Sequence, residues 1–140
     1  MKIGPKNGAY DITIPDTWKF EDSDASFDIY KDPGVGAISI SDYIIPPEYN
    51  FVEEHELLDF LKSVDDPPSF RRENIQYHSK NLVSAELIKE GKYFKVWLYY
   101  KDRYAVFITY VCDEEDKNIE KSDVEQIVSS LNVKALGLFQ

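Results

Sequence analysis

A chain of 140 residues with 43% hydrophobic and 14% aromatic residues is long enough for one domain with a sizeable core, and too apolar for intrinsic disorder. Sixteen Lys and Arg against 26 Asp and Glu leave a formal charge of -10, which repels nucleic acid and anionic membranes and favours a basic protein or cationic ligand. One cysteine, Cys112, cannot close an intramolecular disulfide, and MKIGPKNGAYDI has no apolar signal core, so a cytoplasmic location is expected.

Tyr10 to Ile14 alternates and is β-rich, and it stops at Pro15, which has no N–H for a ladder. Pro15-Asp16-Thr17 reads as a turn delivering Trp18, with a short strand over Lys19 to Glu21. After a polar loop at Asp22 to Asp24, Ser26 to Lys31 places Phe27 and Ile29 on one face. Asp32-Pro33-Gly34 is a strong turn signal. Gly36 to Ile45 then puts Ile38, Ile40 and Ile44 on one face and Ser39, Ser41 and Tyr43 on the other. These segments predict a first antiparallel meander.

Pro46-Pro47 ends it and the period changes. Asn50 with Glu53 fits a capping box opening a helix over Phe51 to Val64. Leu57, Leu58, Phe60, Leu61 and Val64 supply its apolar face, and Asp65-Asp66-Pro67-Pro68 stops it. Phe70 to His78 is ambiguous, with a short strand around Ile75 to Tyr77.

From Asn81 to Cys112 three consecutive strands are predicted, joined by turns at Glu90-Gly91 and Asp102-Arg103. A two-residue turn at Glu90-Gly91 sets Val83, Ala85 and Leu87 on one face with Leu98, Val96 and Phe94. Leu82, Ser84, Glu86 and Ile88 then share the second face with Tyr99, Trp97, Lys95 and Tyr93. Glu86 opposite Lys95 is an opposite-charge pair that favours this register by a few tenths of a kcal/mol, and a slip by one residue would exchange the faces. The acidic connector DEEDKNIEK follows. Ser122 and Glu125 make a second capping box, and Val124, Ile127, Val128 and Leu131 form the stripe of a last helix. Asn132 is its expected stop, and VKALGLF is apolar enough to dock.

An opening ITIPDTW, an Asp-Pro-Gly turn, GAISIS, one helix, a long three-stranded meander and a last helix ending in VEQIVSSLNV together resemble the PsbP-like fold group. That group includes the photosystem II extrinsic protein, Ran-binding nuclear import factors and small bacterial proteins. The resemblance covers residues 8 to 134 and implies one α+β domain over 1–140, an α/β/α sandwich. Its central antiparallel sheet would have six to seven strands in two meanders, flanked by helices. The named members bind or assemble with other proteins. The matching stretches are fold markers, so no functional residue carries over.

Catalytic chemistry is sparse. His55 lies on the polar side of the first predicted helix, and His78 in a polar segment; neither adjoins a nucleophile motif. Gly34-Val35-Gly36 precedes a strand and lacks the third glycine of a dinucleotide fingerprint. His55 and Asp59 share a helical face but fall short of a zinc ligand set. Asp22-Asp24-Ser26 fails as a calcium loop, because Phe27 replaces its glycine and Pro33 its bidentate glutamate. No enzyme, cofactor or metal is therefore expected. Asp113 to Asp116 reads as a solvated connector or a contact for a basic partner.

The aromatic face of the meander is the candidate binding surface: Trp97, Tyr99 and Tyr43 as anchors, Glu86 as a rim charge. Burying Trp97 is worth about 4–6 kcal/mol as an upper bound, so that face is covered either by the chain's own second helix or by a partner. Three classes of function compete, and the first of them is the one expected. The first is non-catalytic protein–protein binding, including an immunity protein that neutralises a basic toxin. The second is a small-ligand carrier with a pocket between sheet and helix. The third, a hydrolase, requires His55 or His78 beside a serine or carboxylate in a cleft.

Overall fold

The computed structural model describes residues 1–23, 26–64 and 75–134. Ten strands are described: β1 (Lys2–Ile3), β2 (Tyr10–Thr13), β3 (Trp18–Ser23), β4 (Ser26–Lys31), β5 (Gly36–Ile44), β6 (Gln76–Ser79), β7 (Leu82–Lys89), β8 (Lys92–Lys101), β9 (Tyr104–Asp113) and β10 (Asn132–Val133). Helix α1 spans Glu53–Val64 and α2 spans Lys121–Ser129. Seven strands form one antiparallel sheet in the order β3-β4-β5-β9-β8-β7-β6, and β1-β2-β10 form a second, smaller one. The predicted helix stop at Asp65 to Pro68, the stretch from Phe70 to Asn74 and the tail beyond Lys134 lie outside the described residues. Among the described residues, no helix is long and apolar enough to cross a membrane.

The long meander has the predicted register: Leu82 faces Tyr99, Ser84 faces Trp97 and Glu86 faces Lys95. Both of its turns place two residues at positive φ, Glu90 (51°) with Gly91 (78°) and Asp102 (51°) with Arg103 (66°). Two consecutive left-handed residues match the right-handed twist of the flanking strands, which is why two-residue loops can close these hairpins. The Asp102-Arg103 turn has no glycine to relieve its cost of about 1 kcal/mol per residue. In return, the Arg103 carbonyl accepts the Ile45 N–H at 2.7 Å and pins the exit of β5.

The large sheet buries both faces, which makes the α/β/α layering. On one face α1 seats Leu57 and Leu61, both fully buried, on Val83, Ala85, Leu87, Val96, Leu98 and Ala105. On the other face lies a cluster shared by the small sheet (Ile3, Tyr10, Ile12), the following Ile14, and α2 (Val124, Ile127, Val128). It packs with Phe27, Ile29, Ile38, Ile40, Trp97 and Ile108. Trp18 joins this cluster and donates its indole Nε1–H to Asp123 Oδ2 of α2 at 3.2 Å. Cys112 is buried here as a packing residue, and burial pushes its thiol pKa up.

Several local expectations change. Neither capping box forms. The first bond of α1 runs from the Glu56 N–H to the Val52 carbonyl, two residues past Asn50, and Ser122 lies inside α2. Glu120 occupies the cap position of α2 without a side-chain cap bond, because its carboxyl group is turned inward. There, 4% exposed, it accepts the Tyr110 hydroxyl at 2.7 Å and the Val35 N–H at 3.3 Å. One buried carboxyl thus ties β9, the loop after the cis Asp32-Pro33 bond and the start of α2. Asn132, expected as a helix stop, instead opens β10 against Asp11 of β2. Ile44, expected beside Ile38 and Ile40, ends its strand 55% exposed, beyond the reach of the core that covers those two.

Candidate functional site

The four residues of the predicted binding surface do not share a surface. Tyr43 pairs with Ala105, which pairs with Tyr100, and so belongs to the α1 side of the sheet. Tyr99 pairs with Val106 and Leu82, and Trp97 with Ser84 and Ile108, on the α2 side. Trp97 is 4% exposed and shares a buried cluster with Val124, Ile127 and Val128 of α2, so the chain's own helix layer covers it. Tyr99 is half-buried against the same cluster, and its hydroxyl pKa is raised, first by burial and then by Asp102. Glu86 is exposed but accepts the Tyr93 hydroxyl, while Lys95 places its ammonium 5.0 Å from the Trp97 ring centre. The cross-strand neighbours Glu86 and Lys95 therefore keep the predicted register without forming an ion pair.

Tyr43 stands 51% exposed in a different setting. It lines an apolar groove of about 340 Å³ with Ile44, Ile45, Pro46, Tyr49, Phe51 and Phe107, closed on one side by Glu56. The groove is built at the junction where β5 leaves the sheet and the chain turns into α1. Pro46 accepts the Tyr49 N–H at 3.0 Å in that turn, which brings the two aromatic rings of the connection back onto the sheet. Phe51 stacks on Tyr100 with centroids 4.1 Å apart, and Tyr43 meets Phe107 edge-on at 5.9 Å. The Tyr49 hydroxyl donates to Glu56 Oε1 at 2.6 Å, which holds the ring upright at the rim. Tyr49 is 51% exposed, so two aromatic rings, Tyr43 and Tyr49, stand in water at one groove, while Ile44, 55% exposed, pairs with Tyr104 and ends its strand on the opposite face. Contiguous exposure of this kind marks interaction surfaces, whereas singly scattered apolar residues do not.

The groove is also electrostatically one-sided. Residues 46–60 carry Glu48, Glu53, Glu54, Glu56 and Asp59 and no Lys or Arg. Tyr49, Phe51 and Phe107 are not singled out as binding residues by the sequence. The legible signal was an aromatic pair, Tyr49 and Phe51, in a connection that needs only turn residues.

One histidine does approach a serine. His78 Nε2 lies 2.6 Å from Ser84 Oγ, across the irregular β6–β7 pairing. Ser84 is fully buried, so the contact satisfies an enclosed hydroxyl and leaves no path for a substrate carbonyl to Oγ. Burial, then the nearby Lys95 charge, lowers the His78 pKa and favours the neutral ring. His55 is exposed on α1. Carboxylate oxygens of Asp113, Glu115 and Asp116 come within 4.8 Å of one another at the end of β9, with the Lys92 ammonium on Asp113.

A seven-stranded antiparallel sheet with one helix on one face, and a helix and small sheet on the other, is the PsbP/Mog1-like architecture. The chain aligns with cyanobacterial PsbP (CyanoP) of Synechocystis at TM-score 0.69 and 12% identity, over 96% of this chain and 92% of that one. It aligns with the Ran-binding protein Mog1p of Saccharomyces cerevisiae at TM-score 0.63 and 8% identity, over 100% and 98%. LpqN of Mycobacterium tuberculosis, involved in cell envelope biogenesis, aligns at TM-score 0.52 and 13% identity, over 96% and 90%. No protein-family model and no curated protein matches the sequence. At these identities the likeness establishes the fold.

Proposed function

We propose that this protein is non-catalytic and acts by binding another protein, through the aromatic groove at the β5–α1 junction. The observation that carries this reading is the exposure of Tyr43 and Tyr49 at one groove over a base of Phe51 and Phe107. Aromatic anchors in a pocket are the groups that dominate binding energy at protein interfaces. The partner is a basic segment carrying an apolar side chain. The apolar group fills the groove, and Lys or Arg on either side meets the carboxyls of Glu48, Glu53 and Asp59. Mog1p, described as Ran-binding, lends the fold a precedent for protein binding. Neutralisation of a basic toxin is the narrower form of the same reading, motivated by the charge of -10.

Affinity capture from the native lysate tests it when run in parallel on wild type, a Tyr43→Ala/Tyr49→Ala double variant and a Lys80→Gln control. A protein retained by wild type and control but lost by the double variant supports the proposal. One retained equally by all three refutes it.

A further inference from the structure

Apart from the aromatic groove, the opposite side of the molecule contains a second built feature. A cleft of about 280 Å³ opens between β8 and the start of α2, bordered by Lys95, Lys117, Lys121, Gln76, Asn118 and Glu125 over an aromatic floor. That size suits a small organic molecule. The floor is Tyr93, Trp97 and Tyr110, each no more than 9% exposed, so these rings supply a rigid base and little contact area. The two tyrosine hydroxyls are already engaged: Tyr93 donates to Glu86 and Tyr110 to Glu120.

What remains free to meet a ligand is cationic and amide-bearing. Among the described residues, the side chains of Lys117 and Lys121 have neither an ion pair nor a hydrogen bond, and the Lys95 ammonium has only the Trp97 ring. The side-chain amides of Gln76 and Asn118 are likewise uncommitted. Three ammonium groups border the cleft against two carboxyls, one of which, Glu86, is occupied by Tyr93. Counting the lining groups alone, the cleft carries one excess positive charge in a chain of charge -10, with Glu120 held beneath Tyr110 and the acidic run Asp113 to Asp116 directly before Lys117.

We infer that this cleft binds a small organic oxyanion bearing two negative charges, held by Lys95, Lys117 and Lys121 and hydrogen-bonded by Gln76 and Asn118. A phosphomonoester and a short dicarboxylate share that chemistry. The site is independent of the aromatic groove, which lies on the other face of the sheet.

Titration of the ¹⁵N-labelled full chain with phenyl phosphate, inorganic phosphate and succinate, in separate arms at constant ionic strength, tests the inference. The expected result is saturable movement of the Trp97 indole signal and of the amides of Lys117 to Glu125, with Kd at or below about 1 mM in at least one arm. Movement with phosphate probes alone identifies the phosphomonoester, and with succinate alone the dicarboxylate. Lys117→Gln/Lys121→Gln should weaken binding by at least about tenfold, Lys95→Met should do likewise, and Lys62→Gln on α1 should leave it unchanged. The exposed Lys117 and Lys121 are substituted without touching the core, and the same spectra report whether the fold persists. No movement up to about 10 mM in any arm, or equal affinity in the lysine variants, overturns the inference.

Discussion

The Lys95 ammonium lies 5.0 Å from the centre of the Trp97 ring, two residues along the same strand, and turns away from Glu86 directly across the ladder. A cation over an indole face is worth about 0.5–1 kcal/mol at a partly exposed site, comparable to a surface ion pair. What decides between them here is Tyr93, whose hydroxyl already occupies Glu86. The consequence is that Trp97 is roofed by α2 and Lys95 together and is a core residue.

Trp97→Ala should therefore cost stability directly, about 3–5 kcal/mol in urea unfolding, as for other aromatic truncations in a packed core. Lys95→Met, which keeps an apolar stem over the ring, should cost under about 1 kcal/mol. A Trp97→Ala chain of wild-type stability would show that the ring is not packed as described.

Removing the buried carboxyl of Glu120 orphans two donors, the Tyr110 hydroxyl and the Val35 N–H. Glu120→Ala should lower unfolding free energy by about 2–4 kcal/mol, and Glu120→Gln, which keeps an acceptor oxygen, by less. Equal losses in the two variants would mean that the bonds themselves contribute nothing.

The lowered pKa of His78 gives stability a dependence on acid. Its ring in the folded chain resists protonation, chiefly through burial, while the unfolded chain takes up the proton near the ordinary value of 6.5. Between those two values the unfolded state binds more protons, so stability falls as pH drops through 6.5 and levels off below the folded value. Urea midpoints between pH 8 and 5 should show this slope in wild type and lose it in His78→Gln. An unchanged slope in the variant would assign it to other groups.

At the alkaline end the sign reverses. Burial raises the hydroxyl pKa of Tyr10, Tyr93, Tyr104 and Tyr110, and hydrogen bonds to carboxyls add to it for Tyr93, Tyr104 and Tyr110. Above the ordinary value of 10 the unfolded chain loses these protons first, so stability falls as pH rises. Phenolate absorbance should show exposed tyrosines titrating gradually and these four ionising only with cooperative unfolding. A smooth titration of all ten tyrosines would contradict the buried network.

The β7–β8 register could be read from the sequence because a two-residue turn fixes every pair that follows, and Gly91 marks where that turn lies. Which layer each face of β5 meets could not be read that way. Its partner β9 is about 60 residues away, with no turn from which to count, so Tyr43 was grouped with Trp97 although the sheet lies between them. The cleft beside α2 was hidden for a related reason. Lys117 and Lys121 sit in a connector whose composition is acidic, and only the fold brings them to Lys95 on β8. Both capping boxes matched in spacing yet failed, because Glu120 is drawn to Tyr110 and the chain before α1 is shaped by the turn at Pro46. The His78–Ser84 contact depended on a short, bulged β6 that periodicity alone did not define.

Hydrogen-exchange footprinting of the complex with the captured partner tests the central claim most directly. Binding through the aromatic groove predicts slowed exchange over Ser41 to Val52 and around Phe107, and none at β6 or α2. Protection confined to α2 or the β6 edge, with the Tyr43 to Phe51 segment exchanging as in the free protein, would contradict it.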